Sequence, residues 1–256
     1  MSSLEIHMFP CLADNYGYLL HDAQANLTAA VDTPDADAIL RECGAKGWKL
    51  THILNTHHHS DHAGGNLALK RATGCTIIGP RVDAARIPGI DQGVGDGDVV
   101  TLGQHRAEVY DTPGHTRGHI VYFFRDDEVA FVGDTLFAIG CGRLFEGTPA
   151  QMWSSFGKIL RWPDATRIYC AHEYTQSNAR FALTVEPENE ALVARAAEIA
   201  RRRALGEPTI PTTLAAEKAT NPFLRAASRE LRERVGLPEA SDVEVFAKTR
   251  ALKDAF

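Results

Sequence analysis

A cluster of imidazole and carboxylate side chains lies in one short stretch of the sequence. The stretch has the pattern His-x-His-x-Asp-His, formed by His57, His59, Asp61 and His62. The apolar run 50–54 precedes it and two glycines follow, which is typical of a buried strand that ends in a loop and turns into a helix. Residues two apart in extended backbone point the same way, so His57 and His59 face one point while His58 faces away. Imidazole and carboxylate are ligands that Zn, Fe and Mn accept, so the pattern predicts a metal site; a chance histidine-rich turn is the alternative.

Three further apolar runs end in the same manner, with a His or an Asp shortly after the strand. The runs 108–110, 129–132 and 168–171 lead to His115, Asp134 and His172. In α/β folds, sites lie where the ends of several strands meet at one edge of a sheet. Taken singly, each of these residues would more often be a capping or hydrogen-bonding residue. Their shared position at strand ends makes them candidate metal ligands.

Composition and charge describe an ordinary soluble globular protein. The chain has 256 residues, of which 44% are hydrophobic and 23% charged, enough to bury a substantial core. A formal net charge of -6 argues against general binding to nucleic acid or to anionic membranes. No apolar stretch approaches the roughly 20 residues that span a bilayer, and the N-terminus lacks the pattern of a signal peptide. Five scattered cysteines without a C-x-x-C pair predict reduced core thiols in a cytoplasmic protein.

The pattern of predicted elements changes after His172. Before it, we predict an opening β-meander with strands at 4–9, 16–20 and 27–31. A first helix then starts with Thr33 as N-cap and Pro34 and ends at Gly44 or Gly47, and a second helix covers 66–73. A buried strand at 75–78 and a long loop at 80–97 follow. After it, helical patterns cover 173–184, 188–205, 226–235 and a last helix in which Ser241 and Glu244 form a capping box. The layout predicts an α/β domain over residues 1–172 and a small helical domain over residues 173–256.

The full set of candidate ligands is similar to that of the metallo-β-lactamase superfamily. Within it, the chain resembles the glyoxalase II (hydroxyacylglutathione hydrolase) family over essentially its whole length. The segments that carry this resemblance are 56–66, 133–137, 140–143, 145–148, 172–175, 221–225 and the terminal Arg250-x-x-Lys253. The ligand set alone specifies only the superfamily, and the helical tail with its cations narrows the resemblance to the family.

The resemblance implies a four-layer αβ/βα sandwich, followed by a small all-α C-terminal domain that binds glutathione. It also implies two divalent metal ions, with Zn expected first and Fe or Mn as alternatives. The first ion would be held by His57, His59 and His115, the second by Asp61, His62 and His172, and Asp134 would bridge the two. Two metals about 3.5–4 Å apart can hold one hydroxide between them at neutral pH.

The resemblance further implies a set of glutathione contacts. The family's positions correspond here to Arg143, Phe145, Tyr174, Arg250 and Lys253. Arg143 stands where Lys is usual, which keeps the charge and alters its geometry. Phe145 stands where Tyr is usual, which removes a hydroxyl donor and leaves a packing contact. Without the resemblance, the terminal cations would be assigned to a solvated helix face.

Together these features predict hydrolysis of a glutathione thioester, chiefly S-D-lactoylglutathione to D-lactate and glutathione. The bridging hydroxide would attack the thioester carbonyl, and Asp61 and Asp134 are the carboxylates assigned to the catalytic centre. Glutathione leaves as a thiolate, and a thiol pKa of about 8.5 makes a strong general acid unnecessary. Because the whole chain is acidic, Arg143, Arg250 and Lys253 would supply the local cations that attract the substrate's carboxylates.

Three alternatives remain open at the level of sequence. Another hydrolase of the superfamily (a lactonase, β-lactamase or phosphodiesterase) would share the metals without needing the terminal cations. A persulfide dioxygenase uses a single iron and a reduced ligand set. A metal-binding scaffold without activity would not need all seven ligands. We expect a monomer, with no nucleic-acid or membrane partner. His58 and His119 are candidates for supporting the metal ligands, whereas His7, His21, His52 and His105 are assigned no catalytic part.

Overall fold

The computed structural model describes residues 3–256, which form two compact units. The first unit runs to Asp111 and also contains Arg117–Gly133. The second unit contains Thr112–Thr116 and Asp134–Phe256. None of the helices in the described part of the chain is long and apolar enough to cross a lipid bilayer.

The first unit contains a six-stranded sheet whose strands lie in chain order. These are β1 (Glu5–Cys11), β2 (Asn15–Asp22), β3 (Leu27–Val31), β4 (Leu50–Leu54), β5 (Thr76–Pro80) and β6 (Gln92–Val94). The first three strands are antiparallel, which confirms the predicted meander. From β3 to β6 the pairing is parallel. Parallel neighbours need crossover connections, and the helices of this unit supply two of them.

The helices of the first unit are α1 (Ala36–Lys46), α2 (Ser60–Ala63) and α3 (Asn66–Thr73). The predicted start of α1 is wrong by two residues, because the N-cap is Asp35, whose carboxylate accepts from the Ala38 backbone N–H, and not Thr33. Gly47 and Gly74 end α1 and α3 in the left-handed conformation that glycine adopts without strain, as predicted. A buried apolar cluster that includes Leu19, Ile39 and Ile53 joins strands and helices into one core.

A second set of strands completes this unit. They are β7 (Val99–Leu102), β8 (His105–Asp111), β9 (Ile120–Phe124) and β10 (Val129–Gly133), all paired antiparallel with their chain neighbours. Every residue of β9 and β10 is buried, which explains their continuous apolar sequence. The predicted long loop at 80–97 is only partly correct, since it contains a 3₁₀ segment at Arg81–Arg86 as well as β6.

The second unit is mostly helical. It contains β11 (Leu136–Phe137), β12 (Gly140–Cys141), α4 (Pro149–Ile159), β13 (Arg167–Cys170), α5 (Thr175–Val185), α6 (Glu190–Ala204), β14 (Thr212–Thr213), α7 (Leu214–Thr220), α8 (Arg229–Arg234) and α9 (Asp242–Asp254). Strands β11 and β12 form a short hairpin, and β13 pairs antiparallel with β14. The sequence did not predict α7, and α8 is shorter than the predicted 226–235.

Helix α9 is the best predicted element of the second unit. Ser241 and Glu244 form the capping box that the sequence indicates. Phe246 of α9 is fully buried, and its ring lies 5.5 Å from that of Phe156 and 6.0 Å from that of Trp153, both on α4. This aromatic contact fixes α9 against α4 and thereby places the last turn of α9, which carries Arg250 and Lys253.

Candidate metal centre and substrate pocket

The histidine-rich loop follows β4 in the first unit, as predicted. His57 and His62 are buried, and His59 precedes α2, which contains Asp61 and His62. Nε2 of His57 lies 3.0 Å from Nδ1 of His59, and Nε2 of His62 lies 3.4 Å from a carboxylate oxygen of Asp61. Ligand atoms of His57 and His62 lie within 4.8 Å of each other. The four predicted ligands of this loop therefore present their ligand atoms to one small region.

The carboxylate of Asp32 holds this loop from behind. One oxygen lies 2.9 Å from Nδ1 of His62 and accepts from the hydroxyl of Thr56, and the other accepts from the Thr56 backbone N–H. A carboxylate on the far nitrogen of a ligating histidine fixes the ring and its tautomer and leaves Nε2 for the metal. Asp32 has a positive φ of 58°, a strained conformation for a non-glycine residue. The sequence analysis did not assign this role to Asp32, which directly precedes the predicted start of the first helix.

The ring nitrogens of His58 contact residues outside the ligand loop, although its ring lies 4.8 Å from that of His59. Its Nδ1 lies 3.5 Å from a carboxylate oxygen of Asp83, and its Nε2 lies 3.1 Å from an Arg86 guanidinium nitrogen. Arg86 also donates twice to Asp83, so the three side chains form one network. The ring of buried His119 stacks on that of His57 at 4.8 Å. Both histidines therefore contact or flank the ligand loop.

Asn15 holds the side chain of Asp61. Its amide nitrogen lies 3.2 Å from a carboxylate oxygen of Asp61 and 3.4 Å from the Asp61 carbonyl oxygen. Asn15 is buried at the start of β2, 46 residues away in the chain. The sequence offered no signal for this contact, because the residue stands in an ordinary Asp-Asn turn.

The second unit brings the other three candidate ligands together. Nε2 of His115 lies 3.3 Å from one carboxylate oxygen of Asp134, and Nε2 of His172 lies 3.4 Å from the other. All three side chains are buried. Nδ1 of His115 lies 2.9 Å from the Arg143 carbonyl oxygen, to which it donates. The ring of His172 stacks on that of Tyr174 at 4.7 Å with an interplanar angle of 1°.

The donor set of both clusters fits a divalent metal. His62 and His115 each bind the protein through Nδ1 and turn Nε2 toward a carboxylate, the arrangement that metal-ligating histidines adopt. Among the described residues, several groups of His and Asp side chains could hold a metal ion. Their members are His57, His59, Asp61 and His62 in the first unit and His115, Asp134 and His172 in the second. Imidazole with carboxylate and without thiolate suits Zn, Fe and Mn, so the clusters support a divalent ion.

A pocket of about 600 Å³ opens beside His115 and Asp134 in the second unit. The predicted substrate residues all line it, namely Arg143, Phe145, Tyr174, Arg250 and Lys253. Its wall also contains Ser177, Asn178, Arg180 and Asp254, which the sequence analysis did not assign to the site. Phe145 is 62% exposed, and its ring lies 5.2 Å from that of His115.

The cations of this pocket differ in how they are held. Arg250 is buried; it donates to the Cys141 carbonyl oxygen at 3.0 Å, and its guanidinium lies 4.9 Å from the centre of the Phe223 ring. Lys253 is half-buried, and its ammonium lies 3.2 Å from the hydroxyl of Ser177. Burial lowers the pKa of the Lys253 ammonium, and the neighbouring Arg250, Arg180 and Arg143 lower it further.

The β11–β12 hairpin, which forms one wall of the pocket, is anchored by buried polar side chains. The carboxylate of Glu217 accepts from the Ile139 backbone N–H at 2.8 Å. It also accepts from Asn221 and pairs with Arg195. The Asn221 amide donates to the carbonyl oxygens of Phe137 and Gly140. Sequence reasoning noted Asn221 only within a motif and missed Glu217 entirely.

Comparisons with known proteins agree with this fold and site. The family model described as the metallo-beta-lactamase superfamily matches residues 25–172, and the one described as the hydroxyacylglutathione hydrolase C-terminus matches residues 173–256. Fold and donor set together define the chain as a member of the metallo-β-lactamase superfamily, with the predicted α/β class and a helical C-terminal region confirmed.

Three named relatives show which family within the superfamily the chain belongs to. Proteins named hydroxyacylglutathione hydrolase from Maricaulis maris, Methylococcus capsulatus and Rhizobium meliloti are 57%, 53% and 52% identical to the chain, over 99–100% of both sequences. The chain belongs to the hydroxyacylglutathione hydrolase (glyoxalase II) family, which confirms the family resemblance.

Solved structures extend the likeness to more distant proteins. The crystal structure of ETHE1 from Myxococcus xanthus superposes with a TM-score of 0.68 at 25% identity, over 98% of this chain and all of the other. The BLEG-1 B3 metallo-beta-lactamase superposes with a TM-score of 0.65 at 21% identity, over 86% of this chain and 99% of the other, which shows the shared fold alone.

Proposed function

We propose that this protein hydrolyses hydroxyacylglutathione thioesters, with S-D-lactoylglutathione as the principal substrate and D-lactate and glutathione as products. The observation that carries the proposal is the pocket beside His115 and Asp134, whose wall holds four cations in a chain of net negative charge. Relatives over 50% identical along their whole length carry the corresponding name. The division into a catalytic part, residues 1–172, and a glutathione-binding part, residues 173–256, belongs to the proposal, and the two family models that meet at residue 172 support it.

We assign seven side chains to two divalent ions, Zn first with Fe or Mn as alternatives. One set is His57, His59 and His115, the other is Asp61, His62 and His172, and Asp134 is shared. Ions bound there would supply an activated water and a Lewis acid for the thioester carbonyl. This two-ion assignment follows the family pattern, and the convergence of ligand atoms within each cluster supports it.

The protein's own residues would orient the reactants. Asp61 would accept a hydrogen bond from the attacking water, and the contact between its carboxylate and Asn15 supports this orientation. Tyr174 and Phe145 flank the pocket beside candidate ligating histidines and would contact the glutathione part of the substrate, Phe145 by packing alone. Arg143, Arg250 and Lys253 attract the two glutathione carboxylates. The thiolate leaves without a proton donor because its conjugate thiol has a pKa of about 8.5.

The test is turnover of S-D-lactoylglutathione by the purified protein before and after treatment with a chelator. We expect turnover that disappears with the metal and returns when Zn, Fe or Mn is added back. Absence of turnover in protein that retains two bound ions would overturn the glutathione assignment while leaving a metallohydrolase. Turnover that survives complete metal removal would overturn the metal assignment.

Substrate class is tested by removing the accessible pocket cations. Arg250 also supports the Cys141 carbonyl, so Arg143→Ala combined with Lys253→Ala is the better variant. Two charge-assisted contacts of about 1.5 kcal/mol each predict a loss of kcat/KM of roughly 100-fold. Lys248→Ala, at an exposed position of the same helix, is the matched control and should leave kcat/KM unchanged. An equal, small effect of both variants would favour a lactonase or another hydrolase of the superfamily.

The cytoplasmic location and the monomeric state stay predictions. The buried cysteines, none of which forms a disulfide, support the cytoplasmic location.

A further inference from the structure

Asp254 is an anion in a pocket wall that is otherwise cationic. Among the described residues that line the pocket, it and the candidate metal ligand Asp134 are the carboxylates, whereas the cations are Arg143, Arg180, Arg250 and Lys253. Asp254 stands in the last turn of α9, where the helix dipole disfavours a negative charge. The i,i+4 ion pair that it forms with Arg250 offsets this cost within the helix.

The carboxylate of Asp254 retains capacity for a further partner. Its Oδ1 lies 2.9 Å from a guanidinium nitrogen of Arg250 and 3.7 Å from Nε of Arg143. Oδ2 has no hydrogen-bond partner among the described residues, the side chain is 44% exposed, and the residue lines the pocket. A carboxylate accepts about four hydrogen bonds through its two oxygens, so a ligand donor can bind without displacing the arginines.

Charge complementarity indicates which donor this would be. The glutathione part of the proposed substrate carries two carboxylates and one ammonium group. The carboxylates match the pocket's cations, but the same cations repel the ammonium everywhere except beside a carboxylate. Asp134 is assigned to the metals, which leaves Asp254.

We propose that Asp254 binds the substrate's free α-ammonium group and thereby selects thioesters that carry one. This inference rests on the proposed function, since it names the receptor for one group of the same substrate. This contact would be lost in thioesters whose amine is acylated. It would also be lost in thioesters of thiols that have no α-amino group, and in both cases the Asp254 carboxylate would have no ligand. Asp254 would thus determine specificity without touching the scissile bond.

The experiment compares two substrates on two proteins. S-D-lactoylglutathione and its N-acetylated form are assayed with the metal-loaded wild-type protein and with Asp254→Asn. In the wild type we expect kcat/KM to favour the free amine by about five- to tenfold, as suits a charge-assisted contact that is partly open to solvent. In Asp254→Asn the preference should fall to near one, through loss of activity on the free amine alone. Asp126→Asn, an exposed carboxylate outside the pocket, should retain the wild-type preference.

Two results would overturn the inference. Equal losses on both substrates in Asp254→Asn would show that the carboxylate only orients Arg143 and Arg250. An unchanged preference would show that it does not contact the ammonium. If the wild type hydrolyses neither substrate, the proposed function has failed. The role of Asp254 is then decided by calorimetry, which compares the affinities of S-methylglutathione and its N-acetylated form for the wild type and for Asp254→Asn. A binding preference that is absent from the wild type, or that persists in Asp254→Asn, would then reject it.

Discussion

At the scale of single residues, the supporting side chains decide how well the candidate metal ligands are held. Asp32 is the clearest example, because it fixes both His62 and the backbone of Thr56, the residue that precedes His57. Replacing the carboxylate by an amide keeps its shape but removes the anion that faces Nδ1 of His62.

We predict that Asp32→Asn lowers metal affinity by about 10- to 100-fold. Competition with a chromophoric chelator measures this directly, without reference to activity. Asp37→Asn, at an exposed position in the first turn of α1, should bind metal like the wild type. Unchanged affinity in Asp32→Asn would mean that the His62 ring is held by packing alone.

Lys253 is a pocket cation whose charge is lost as the pH rises. In the proposed function its protonated ammonium binds a substrate carboxylate, and burial together with three arginines lowers its pKa below the ordinary value of 10.5. Protonation is therefore lost at a lower pH than for an exposed lysine, and binding weakens as the pH rises through that lowered pKa.

We predict that S-methylglutathione binds progressively more weakly above neutral pH and that Lys253→Arg flattens this part of the profile. Arginine stays protonated throughout, so the difference between the two profiles isolates Lys253 from the titration of the ligand itself. Calorimetric titrations over about pH 7 to about pH 10 measure it. Parallel profiles would show that Lys253 does not bind the ligand.

At the scale of elements, the β11–β12 hairpin depends on helix α7. Glu217 is fully buried and receives hydrogen bonds from the hairpin backbone, Asn221 and Thr212, and it pairs with Arg195 at 2.5 Å. Each neighbour is a donor, so only a carboxylate satisfies them all. Helix α7 thus carries the acid that holds a wall of the pocket in place.

Glu217→Gln should therefore destabilise the protein by about 3 kcal/mol, since it leaves Arg195 without its anion and turns an amide N–H toward donors. The midpoint of urea unfolding reports the loss, with the slope of the transition unchanged. Glu198→Gln, on exposed α6 surface, should have little effect. A small effect at Glu217 would show that the hairpin is held by its apolar contacts instead.

At the scale of the whole molecule, the thiols are protected by burial. All five cysteines are buried and none of them forms a disulfide, which confirms that they are core residues. Burial raises the pKa of Cys43 and Cys141 to about 11 and that of Cys11 and Cys170 to about 12. Almost no reactive thiolate is present near neutral pH.

We predict that iodoacetamide at about pH 8 leaves the native protein unmodified and adds five groups after unfolding. Intact-mass spectrometry distinguishes the two states. Modification of a single thiol in the native protein would reveal local opening at that cysteine, and peptide mapping would locate it.

Local sequence patterns were sufficient to predict the candidate ligands and most elements. His57, His59, Asp61 and His62 are neighbours in the chain, and strand periodicity determines which of them share a direction. His115, Asp134 and His172 were predicted because each follows an apolar strand, and the structure places all three shortly after β8, β10 and β13. The capping box of α9 was predicted for the same reason, since its two residues are three apart.

Contacts between distant parts of the chain decided the rest. Asp32 reaches His62 across 30 residues, Asn15 reaches Asp61 across 46, and Glu217 reaches Ile139 across 78. Polar residues such as these are common in turns and helices, so nothing local distinguishes a buried anchor from a solvated side chain. The sequence alone therefore determined which residues are candidate metal ligands, because that depends on residue type and short spacing, whereas the candidate glutathione contacts came from the family resemblance. Only the tertiary structure decided which side chains orient them and that Asp254 faces the pocket, because burial and partnership arise when distant segments pack.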